Sequence, residues 1–522
     1  MQIQAQSTAA EKPFADSQRY FQQFVDRLSS ADTMHMTHGE LERYMERDGF
    51  ELLRLLFQDH LDMRGPGEAQ SDVVGSDGVR RPHVRLLERR IKILFGTVVA
   101  GRMGYSAHDA ETLFPRDAEL NLPPSLYSHG VERRVANEVI KGSFDSAVES
   151  VAVTTGTTVP KRQAEETAAR AATDFDAFYA NRSAESTRAV AQTGEILALT
   201  TDAKGIVMRV ESLREGTRAA AENSHHKLAK HLSPGEKRNR KRMAQVAAVY
   251  TITPFVRRPE DVVREMRPKA DDAPAPTRPR PENKRVWASV DKSADEVVGA
   301  MFAEAKLRDP SGTKQWVALV DGNPTQLKLI KQNARRLGVA VTIVLDLIHV
   351  LGYMWSASLA INGEGSTAAE QWVTKRLLAL LRGESSSVAA AMRRSATLRR
   401  MTTKDRAAVD TCADYLLKYR AYLHYDCYLA DGVPISSGVI EGACRHLIKD
   451  RMDITGARWS LAGAEAVLKL RSLRSSGDLD EYWTFHEGAD YVRNHADRFK
   501  AAPPATVLPL NLSRRGHLHA VN

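Results

Sequence analysis

The sequence predicts a chain of mixed α/β class, in which a helical N-terminal part precedes a domain built around one sheet. Three observations lead to this class. Apolar residues recur at three- and four-residue spacing over residues 17–64, three extended apolar runs follow between residues 195 and 290, and helical and extended runs alternate after them. The second half therefore reads as three strands, followed by helix, strand, helix, strand and helix.

The composition favours a large globular protein of the reducing cytosol. The chain has 522 residues, 43% of them hydrophobic, which is enough for several domains. Its three cysteines, Cys412, Cys427 and Cys444, build no disulfide framework and lack the C-x-x-C spacing of a zinc site. No apolar stretch approaches the roughly 20 residues of a membrane helix, and we expect no secretory signal at the start of the sequence.

The N-terminal region, residues 1–120, is predicted to combine helices with a small β-sheet. Within it, "LERYMERDGFELLRLLFQDHLDMR" has helical periodicity. The stretch "RPHVRLLERRIKILFGTVVAGRMGYSA" alternates in polarity, is rich in β-branched residues and contains Gly96, Gly101 and Gly104. This pattern is typical of an antiparallel hairpin.

A helical region over residues 130–182 has the outline of a helix-turn-helix. Three candidate helices follow one another, and the short turn "TTGTTV" separates the last two. The last helix opens with Lys161 and Arg162, which favours contact with DNA. Any unit of three packed helices would show the same pattern, so both interpretations stay open.

Positive charge is clustered in two places, although the net charge of +9 is spread over 74 basic and 65 acidic residues. "GEKRNRKR" contains Arg238 and Arg240, and "MRRSATLRR" adds four arginines further along the chain. Each run is either a solvated surface or a contact for phosphate groups. As candidates for DNA binding we take Arg238 and Arg240.

The sheet domain is predicted from the order of its elements. Its first part, residues 192–365, has the succession β-β-β-α-β-α-β-α of a ribonuclease-H-like fold. A proline-rich stretch between the second and third strands is a poor helix and is expected to be flexible. A helical, basic insertion over residues 366–435 follows. The last part of the core is predicted over 436–500, before a disordered tail over 501–522.

Two aspartates of this core are candidate catalytic residues. A sheet of this topology places its first strand beside its fourth, so Asp202 in "LALTTDAKG" and Asp321 in "WVALVDGNP" are expected to meet at one edge. Proteins of the α/β class tend to build their sites at the carboxyl ends of strands. The alternative role for Asp321 is to cap the helix that begins just beyond it.

Glu441 in "SSGVIEGACRHLIKDRM" is the best candidate for a third carboxylate. Ser436 or Ser437 is expected to cap this helix, which sets Glu441 within the first turn. The alternative is an ordinary ion pair between Glu441 and Arg445 on a solvated helix face.

The three carboxylates together predict a metal site. Hard oxygen ligands suit Mg²⁺ or Mn²⁺, and two such ions about 4 Å apart can act on the attacking and the leaving oxygen at phosphorus. Without such ions, a cluster of unpaired carboxylates would repel itself. We therefore expect Asp202, Asp321 and Glu441 to bind two Mg²⁺ or Mn²⁺ ions.

Four motifs resemble those of one family of mobile elements. "LTTDAKGI", "LVDGNPTQ", "LDLIHVLGYMW" and "SGVIEGACRHLIKDRMDITGARWS" are similar to bacterial insertion-sequence transposases of the Kra group, distant relatives of the Mutator-like DDE transposases. The stretches "LFGTVVAGRMGY", "LFPRDAELNLPP" and "TDFDAFYA" are similar too, so the resemblance covers about residues 40–500. It implies DNA cleavage and strand transfer by a triad of Asp202, Asp321 and Glu441.

The resemblance also implies partners and a location. The partners are double-stranded DNA, namely the terminal repeats of an element and a target, and further copies of the chain in a homodimer or higher oligomer on DNA. The N-terminal region and the helices over 130–182 would bind the terminal repeats. The location is the bacterial cytoplasm, in association with the nucleoid.

Asp346 and His349 match a D-x-x-H element that lies beside the site in these relatives. The two side chains would bond to each other or to a DNA phosphate, and for His349 a structural role is favoured over a catalytic one. Asp346 is also the rival of Asp321 for the second position of the triad.

Residues that follow Glu441 are candidates for holding DNA. Four cations are expected to contact the backbone near the scissile phosphate, namely Arg445, Lys449, Arg451 and Arg458. Trp459 is expected either to stack on an unpaired base or to pack in the core.

Three other functions remain as alternatives. A ribonuclease-H-like nuclease or resolvase would cut DNA without joining it. A sequence-specific DNA-binding protein derived from an inactive element would do neither, although an intact triad argues against decay. A small-molecule α/β enzyme is disfavoured because the sequence has no glycine-rich phosphate loop and no nucleophile–base motif.

Overall fold

The computed structural model describes residues 13–182, 193–223, 240–266, 277–453 and 456–507. Within these ranges the chain forms two compact units, one of residues up to 179 together with those from 480 on, and one of residues 180–479. Both units combine sheets with helices, so the predicted mixed α/β character is confirmed.

The first unit is mostly helical and carries two small sheets. Its α-helices are α1 (Ala15–Leu28), α2 (Ala31–Met34), α3 (His38–Arg64), α4 (Pro115–Glu119), α5 (His129–Lys141), α6 (Phe144–Thr154), α7 (Lys161–Ala171), α8 (Phe175–Ala180) and, last among the described residues, α21 (Leu479–Asn494). Its strands are β1 (Glu68–Ala69), β2 (His83–Ile93), β3 (Gly96–Ala107), β4 (Ala110–Leu113) and β10 (Thr506–Val507).

Local signals and long-range contacts both shape this unit. The predicted hairpin is present as β2 and β3, which pair antiparallel from His83↔Ser106 to Ile93↔Gly96. Helices α5, α6 and α7 pack against one another. Far along the chain, the hydroxyl of Tyr482 on α21 donates to the carbonyl oxygen of Ala171 at 2.7 Å, which fastens α21 to α7.

The second unit is built on a five-stranded mixed sheet. Its strands are β5 (Ile196–Val207), β6 (Lys241–Ile252), β7 (Glu282–Ser289), β8 (Gln315–Val320) and β9 (Val341–Leu345), in the spatial order β7-β6-β5-β8-β9. The pairs β5–β6 and β6–β7 are antiparallel, whereas β8 runs parallel to both β5 and β9. The first and fourth strands of the sheet therefore lie side by side, as the sequence predicted.

Helices surround this sheet and fill the region after it. Those up to the end of the core alternation are α9 (Glu215–Glu222), α10 (Pro259–Glu265), α11 (Ala294–Arg308), α12 (Pro324–Leu337) and α13 (Leu347–Asn362). Those that follow are α14 (Thr367–Leu381), α15 (Ser385–Leu398), α16 (Thr403–Lys418), α17 (Tyr425–Ala430), α18 (Gly438–Ala443), α19 (Asp450–Met452) and α20 (Leu461–Ser476). Parallel strands need such crossovers, which α11 supplies before β8 and α12 supplies before β9.

The expected single helix over 436–452 contains a π-helical turn, Cys444–Lys449, between α18 and α19. Arg471 on α20 donates to the carbonyl oxygens of His446 and Leu447 in this turn. The π turn changes the angular spacing of the residues that follow Glu441.

Two other expectations differ from the structure. The stretch expected to be a poor helix includes α10, because Pro259 occupies the first turn and the Asp261 carboxylate accepts from the Arg258 amide at 3.0 Å. The tail expected to be disordered from 501 is described as far as Val507, and Thr506 and Val507 pair antiparallel with β1. None of the described helices is long and apolar enough to cross a membrane.

Candidate active site

Three aspartates lie on or directly after three adjacent strands: Asp202 lies within β5, whereas Asp321 and Asp346 directly follow β8 and β9. The parallel register of β5 and β8 runs from Ile196↔Gln315 to Thr200↔Leu319, and its continuation by two residues sets Asp202 beside Asp321. The register of β8 and β9 ends at Val320↔Leu345, so that Asp321 is followed across the sheet by Asp346. The sheet thus brings both predicted aspartates, and the rival Asp346, to one edge.

Ser437 connects the helix of Glu441 to this edge. Its hydroxyl accepts from the Ile440 amide at 3.3 Å and caps α18, as predicted for this position, and lies 3.2 Å from the hydroxyl of Thr200 on β5. Its own amide donates to Asp346 Oδ2 at 2.9 Å. Glu441, in the first turn of α18, is therefore tethered to the strands that carry the aspartates.

The four carboxylates influence one another electrostatically. Partial burial and the negative charges of Asp346 and Asp202 raise the pKa of Glu441 above its ordinary value, against the lowering effect of His349 and Lys204. The neighbouring like charges thus disfavour the ionised form of Glu441.

Asp346 is used structurally. Its Oδ1 accepts from the Ile348 amide at 2.8 Å, which caps α13, and its Oδ2 accepts from the Ser437 amide. Only 2% of the residue is exposed, and burial is the main reason why its pKa is raised. Because both oxygens accept from main-chain amides, the partners of Asp346 are these amides and not His349. The half-buried His349 still lowers the pKa of Asp346 by its charge.

Asp321 is more open than Asp346. It is partly exposed, and its Oδ1 accepts from the Asn323 amide at 2.8 Å. The alternative role of capping α12 falls to Asn323 instead, whose side chain accepts from the Thr325 amide at 2.9 Å. Of the two rivals, Asp321 is therefore the carboxylate suited to bind a ligand.

The Asp202 carboxylate contacts a lysine ammonium group and a cysteine thiol. Lys204 Nζ lies 3.0 Å from Asp202 Oδ2, and the Cys444 thiol donates to the same oxygen at 3.2 Å. Burial lowers the pKa of Lys204, but its bond to Asp202 outweighs this effect and holds that pKa above its ordinary value. Sequence reasoning missed both residues. The strand period of two, which sets 202 and 204 on one face, was the available signal for Lys204.

Four tyrosines of the region after α15 bind the main chain of β9 and of the turn that follows β8. Each donates its hydroxyl to a main-chain carbonyl oxygen, in the pairs Tyr415–Asp321 (2.7 Å), Tyr419–Gly322 (2.5 Å), Tyr425–Leu345 (2.7 Å) and Tyr428–Ile343 (3.2 Å). Burial raises the pKa of Tyr428 to about 12, so its hydroxyl remains a donor at neutral pH. No local pattern of the sequence marked these residues as part of the site.

The structure requires a glycine at position 322, directly after Asp321. Its φ is +91°, and a Cβ atom at this position would lie 3.1 Å from the ring of Tyr419. Both the backbone conformation and the close approach of the ring disfavour a side chain here. The turn directly after Asp321 therefore requires a glycine at this position.

The donors fit a divalent cation in their chemistry. Asp202, Asp321 and Glu441 offer the hard oxygen atoms that Mg²⁺ and Mn²⁺ prefer, and the Lys204 ammonium on Asp202 already places one positive charge in the cluster. Within the described ranges, no group of three or more His, Cys, Asp and Glu side chains lies close enough together to hold a metal ion. The three carboxylates therefore match a divalent cation in the type of their donor atoms and in their charge, and not in their spacing.

Five of the predicted DNA-binding residues are exposed cations. Lys161 and Arg162 form surface ion pairs with Asp145 (2.7 Å) and Glu166 (3.1 Å), and such pairs are weak enough to exchange for phosphate. Arg445 is paired with Asp450 at 3.7 Å and not with Glu441. Lys449 and Arg458 are exposed as well. Arg238 lies outside the described residues.

Three other predicted DNA contacts are corrected by burial. Arg240 is only 7% exposed and Arg451 only 3%, so neither presents its charge at the surface. The guanidinium of Arg451 lies 4.7 Å from the ring centre of Trp459, a cation–π contact inside the protein. Trp459 is 6% exposed and donates to the Met452 carbonyl oxygen at 3.1 Å, which confirms core packing over base stacking.

Comparisons with known proteins give little. No family model and no curated protein matches the chain. Among solved structures, it is similar to the "Drosophila P element transposase strand transfer complex", at 9% sequence identity over 72% of this chain and 81% of that chain, with a TM-score of 0.21. At this degree of similarity, fold and function must be argued from the residues themselves.

Proposed function

We propose that this chain is a DNA transposase of the DDE type, related to the Kra group of insertion sequences and built on a ribonuclease-H-like core. The observation that carries the proposal is the β5–β8 register, which supports a shared position for Asp202 and Asp321 at one sheet edge. The strand order, with three antiparallel strands joined to two parallel ones, supports the core. The link through Ser437 supports Glu441 as the third member.

Two Mg²⁺ or Mn²⁺ ions held by Asp202, Asp321 and Glu441 would supply activation of the attacking oxygen and stabilisation of the leaving oxygen at a DNA phosphodiester. The chain's own residues orient these carboxylates. Tyr415 and Tyr419 fix the main chain that carries Asp321. Water and then a DNA 3′ hydroxyl serve as nucleophiles, so no protein side chain forms a covalent intermediate.

The remaining parts would bind DNA. In the first unit, α6 and α7 would act as the helix-turn-helix for the terminal repeats, with Lys161 and Arg162 at the start of the recognition helix. In the second unit, the exposed Arg445, Lys449 and Arg458 would contact the backbone near the cleaved phosphate. The insertion over 366–435, with eleven basic and seven acidic residues, would add further phosphate contacts.

The test is cleavage and strand transfer with purified full-length protein, a plasmid that carries the element's own ends, and Mg²⁺ or Mn²⁺. We expect the wild type to nick and join DNA, and Asp321→Asn to lose at least about 1,000-fold in rate while binding its ends normally. Asp291→Asn is the matched control, because Asp291 also follows a strand of this sheet but is paired with Arg242 and is well exposed.

The outcomes separate the alternatives. Cleavage without joining would assign a nuclease or resolvase. Binding of the ends without cleavage in either metal would assign a DNA-binding protein from an inactive element. An active Asp321→Asn with an inactive Asp346→Asn would move the site by one strand.

A further inference from the structure

Helix α3 carries an apolar stripe that the described residues of its unit leave partly exposed. Its members are between 39% and 46% exposed, and they are Met45, Leu53, Leu56, Phe57 and Met63. With 3.6 residues per turn, Met45, Leu56 and Met63 fall within about 20° of one line along the helix, and Leu53 and Phe57 lie about 80° and 120° from it, so the stripe is about 120° wide. The stripe runs for 18 residues, or about 27 Å.

The rest of the circumference of α3 is the part that packs. Gln58 exchanges two hydrogen bonds of 2.8 Å with the main chain of Val99 on β3. The buried Asp59 accepts from the Ser17 amide of α1 at 2.9 Å, and the buried Asp48 lies 3.9 Å from Arg27. A helix that buries aspartates and exposes leucine, phenylalanine and methionine has its apolar surface prepared for a partner.

The charge of this region does not suit nucleic acid. Between Pro13 and Arg64 the chain has ten acidic and six basic residues, in a protein whose net charge is +9. DNA phosphates would be repelled by this surface. The stripe therefore fits a protein partner.

The stripe is complementary to itself. If two copies of α3 cross antiparallel with Leu53 on the two-fold axis, Gly49 of one copy faces Phe57 of the other. The space beside Gly49 is open, since a Cβ atom there would meet nothing within 4 Å, and an exposed aromatic ring can occupy it. The same register sets the Glu46 carboxylate against the His60 imidazole, and an isologous contact repeats each pair twice.

We infer that α3 forms an antiparallel dimer interface with a second copy of this chain, with the two-fold axis at Leu53. The interface needs no DNA and no metal, so it can be tested independently of the proposed catalytic function.

Cysteine cross-linking of the full-length protein tests the register. The background is Cys427→Ser, because Cys427 is exposed whereas Cys412 and Cys444 are buried. Leu53→Cys is expected to give a covalent dimer on mild oxidation in most of the protein, because the two thiols meet at the axis. Met45→Cys is the matched control, since its two copies would lie about 24 Å apart along the helices. Cross-linking of Met45→Cys as efficient as that of Leu53→Cys would overturn the inference.

Light scattering without DNA is the second measurement. The wild type is expected to have the mass of a dimer at tens of micromolar, and Leu53→Asp/Leu56→Asp the mass of a monomer that keeps the wild-type circular dichroism spectrum, with a melting temperature lowered by the loss of the dimer. Val153→Asp, at an exposed apolar position of α6, should stay dimeric. A monomeric wild type would overturn the inference, whether residues 1–12 or another protein then covers the stripe.

Discussion

The hydroxyl of Tyr415 donates a 2.7 Å hydrogen bond to the main-chain carbonyl oxygen of Asp321. The two residues are 94 positions apart. The ring of Tyr415 is stacked on Tyr353, with 4.1 Å between centroids, so its hydroxyl is held in one place. The helical region that interrupts the core thus fixes the strand end that carries a candidate metal ligand, in addition to any contact that it makes with DNA.

Tyr415→Phe should impair chemistry more than folding. Loss of one hydrogen bond is expected to lower the free energy of unfolding by about 1 kcal/mol, whereas a small displacement of Asp321 should slow strand cleavage by about 10- to 100-fold. Urea unfolding and single-turnover cleavage measure the two effects. Tyr428→Phe is the control, because its hydroxyl binds Ile343, farther from the strand end. Equal loss of cleavage in both variants would contradict a positioning role for Tyr415.

Asp346→Asn should destabilise the protein more than Asp321→Asn does. Asp346 is buried and accepts from two main-chain amides, and an amide group in its place would set an N–H against one of them, at a cost of about 1–3 kcal/mol. Asp321→Asn instead removes one negative charge from a repulsive cluster, so unfolding in urea without metal should be unchanged or shifted to higher urea. The reverse order of stabilities would show that Asp346 is not the structural member of the pair.

The exposed and the buried cations after Glu441 should differ in the salt dependence of DNA binding. Arg445→Met/Lys449→Met is expected to reduce the slope of log K against log salt by about 2, since each phosphate contact contributes about 0.9. Arg451→Met should leave the slope unchanged because Arg451 is buried beneath Trp459. Fluorescence anisotropy measures these slopes at salt concentrations from about 50 to about 300 mM, a range in which protein–DNA affinity changes strongly. A reduced slope for Arg451→Met would place that side chain on DNA after all.

The first unit should lose stability on acidification through His495. Burial lowers the pKa of His495, whose Nε2 lies 2.9 Å from the Leu122 carbonyl oxygen. The folded state thus binds this proton less readily than the unfolded state. The stabilisation is present above the unfolded pKa of about 6.5 and is lost as the pH falls toward the folded pKa. Melting temperatures from pH 7.5 to 5 should fall more steeply for the wild type than for His495→Gln. Parallel curves would argue against this role.

Much of the fold and of the site followed from local patterns. The run "WVALV" is apolar throughout because β8 is buried on both faces. The sequence Asp-Gly-Asn-Pro sets a turn and a helix start directly after it, and Ser437 marks the start of α18. Spacing and chemistry of this kind are properties of a few adjacent residues, so they placed Asp202, Asp321 and Glu441 on the right elements and ordered the strands.

Only the tertiary structure decided which side chains are inside. Asp321 and Asp346 look alike in sequence, and they differ because the Ser437 amide arrives at Asp346 from 91 residues further along the chain. Arg451 and Trp459 resemble surface residues of a basic helix until their burial is known. The four tyrosines carry no pattern of their own. Burial and hydrogen bonds between distant segments depend on the packing of the whole unit, which local periodicity does not encode.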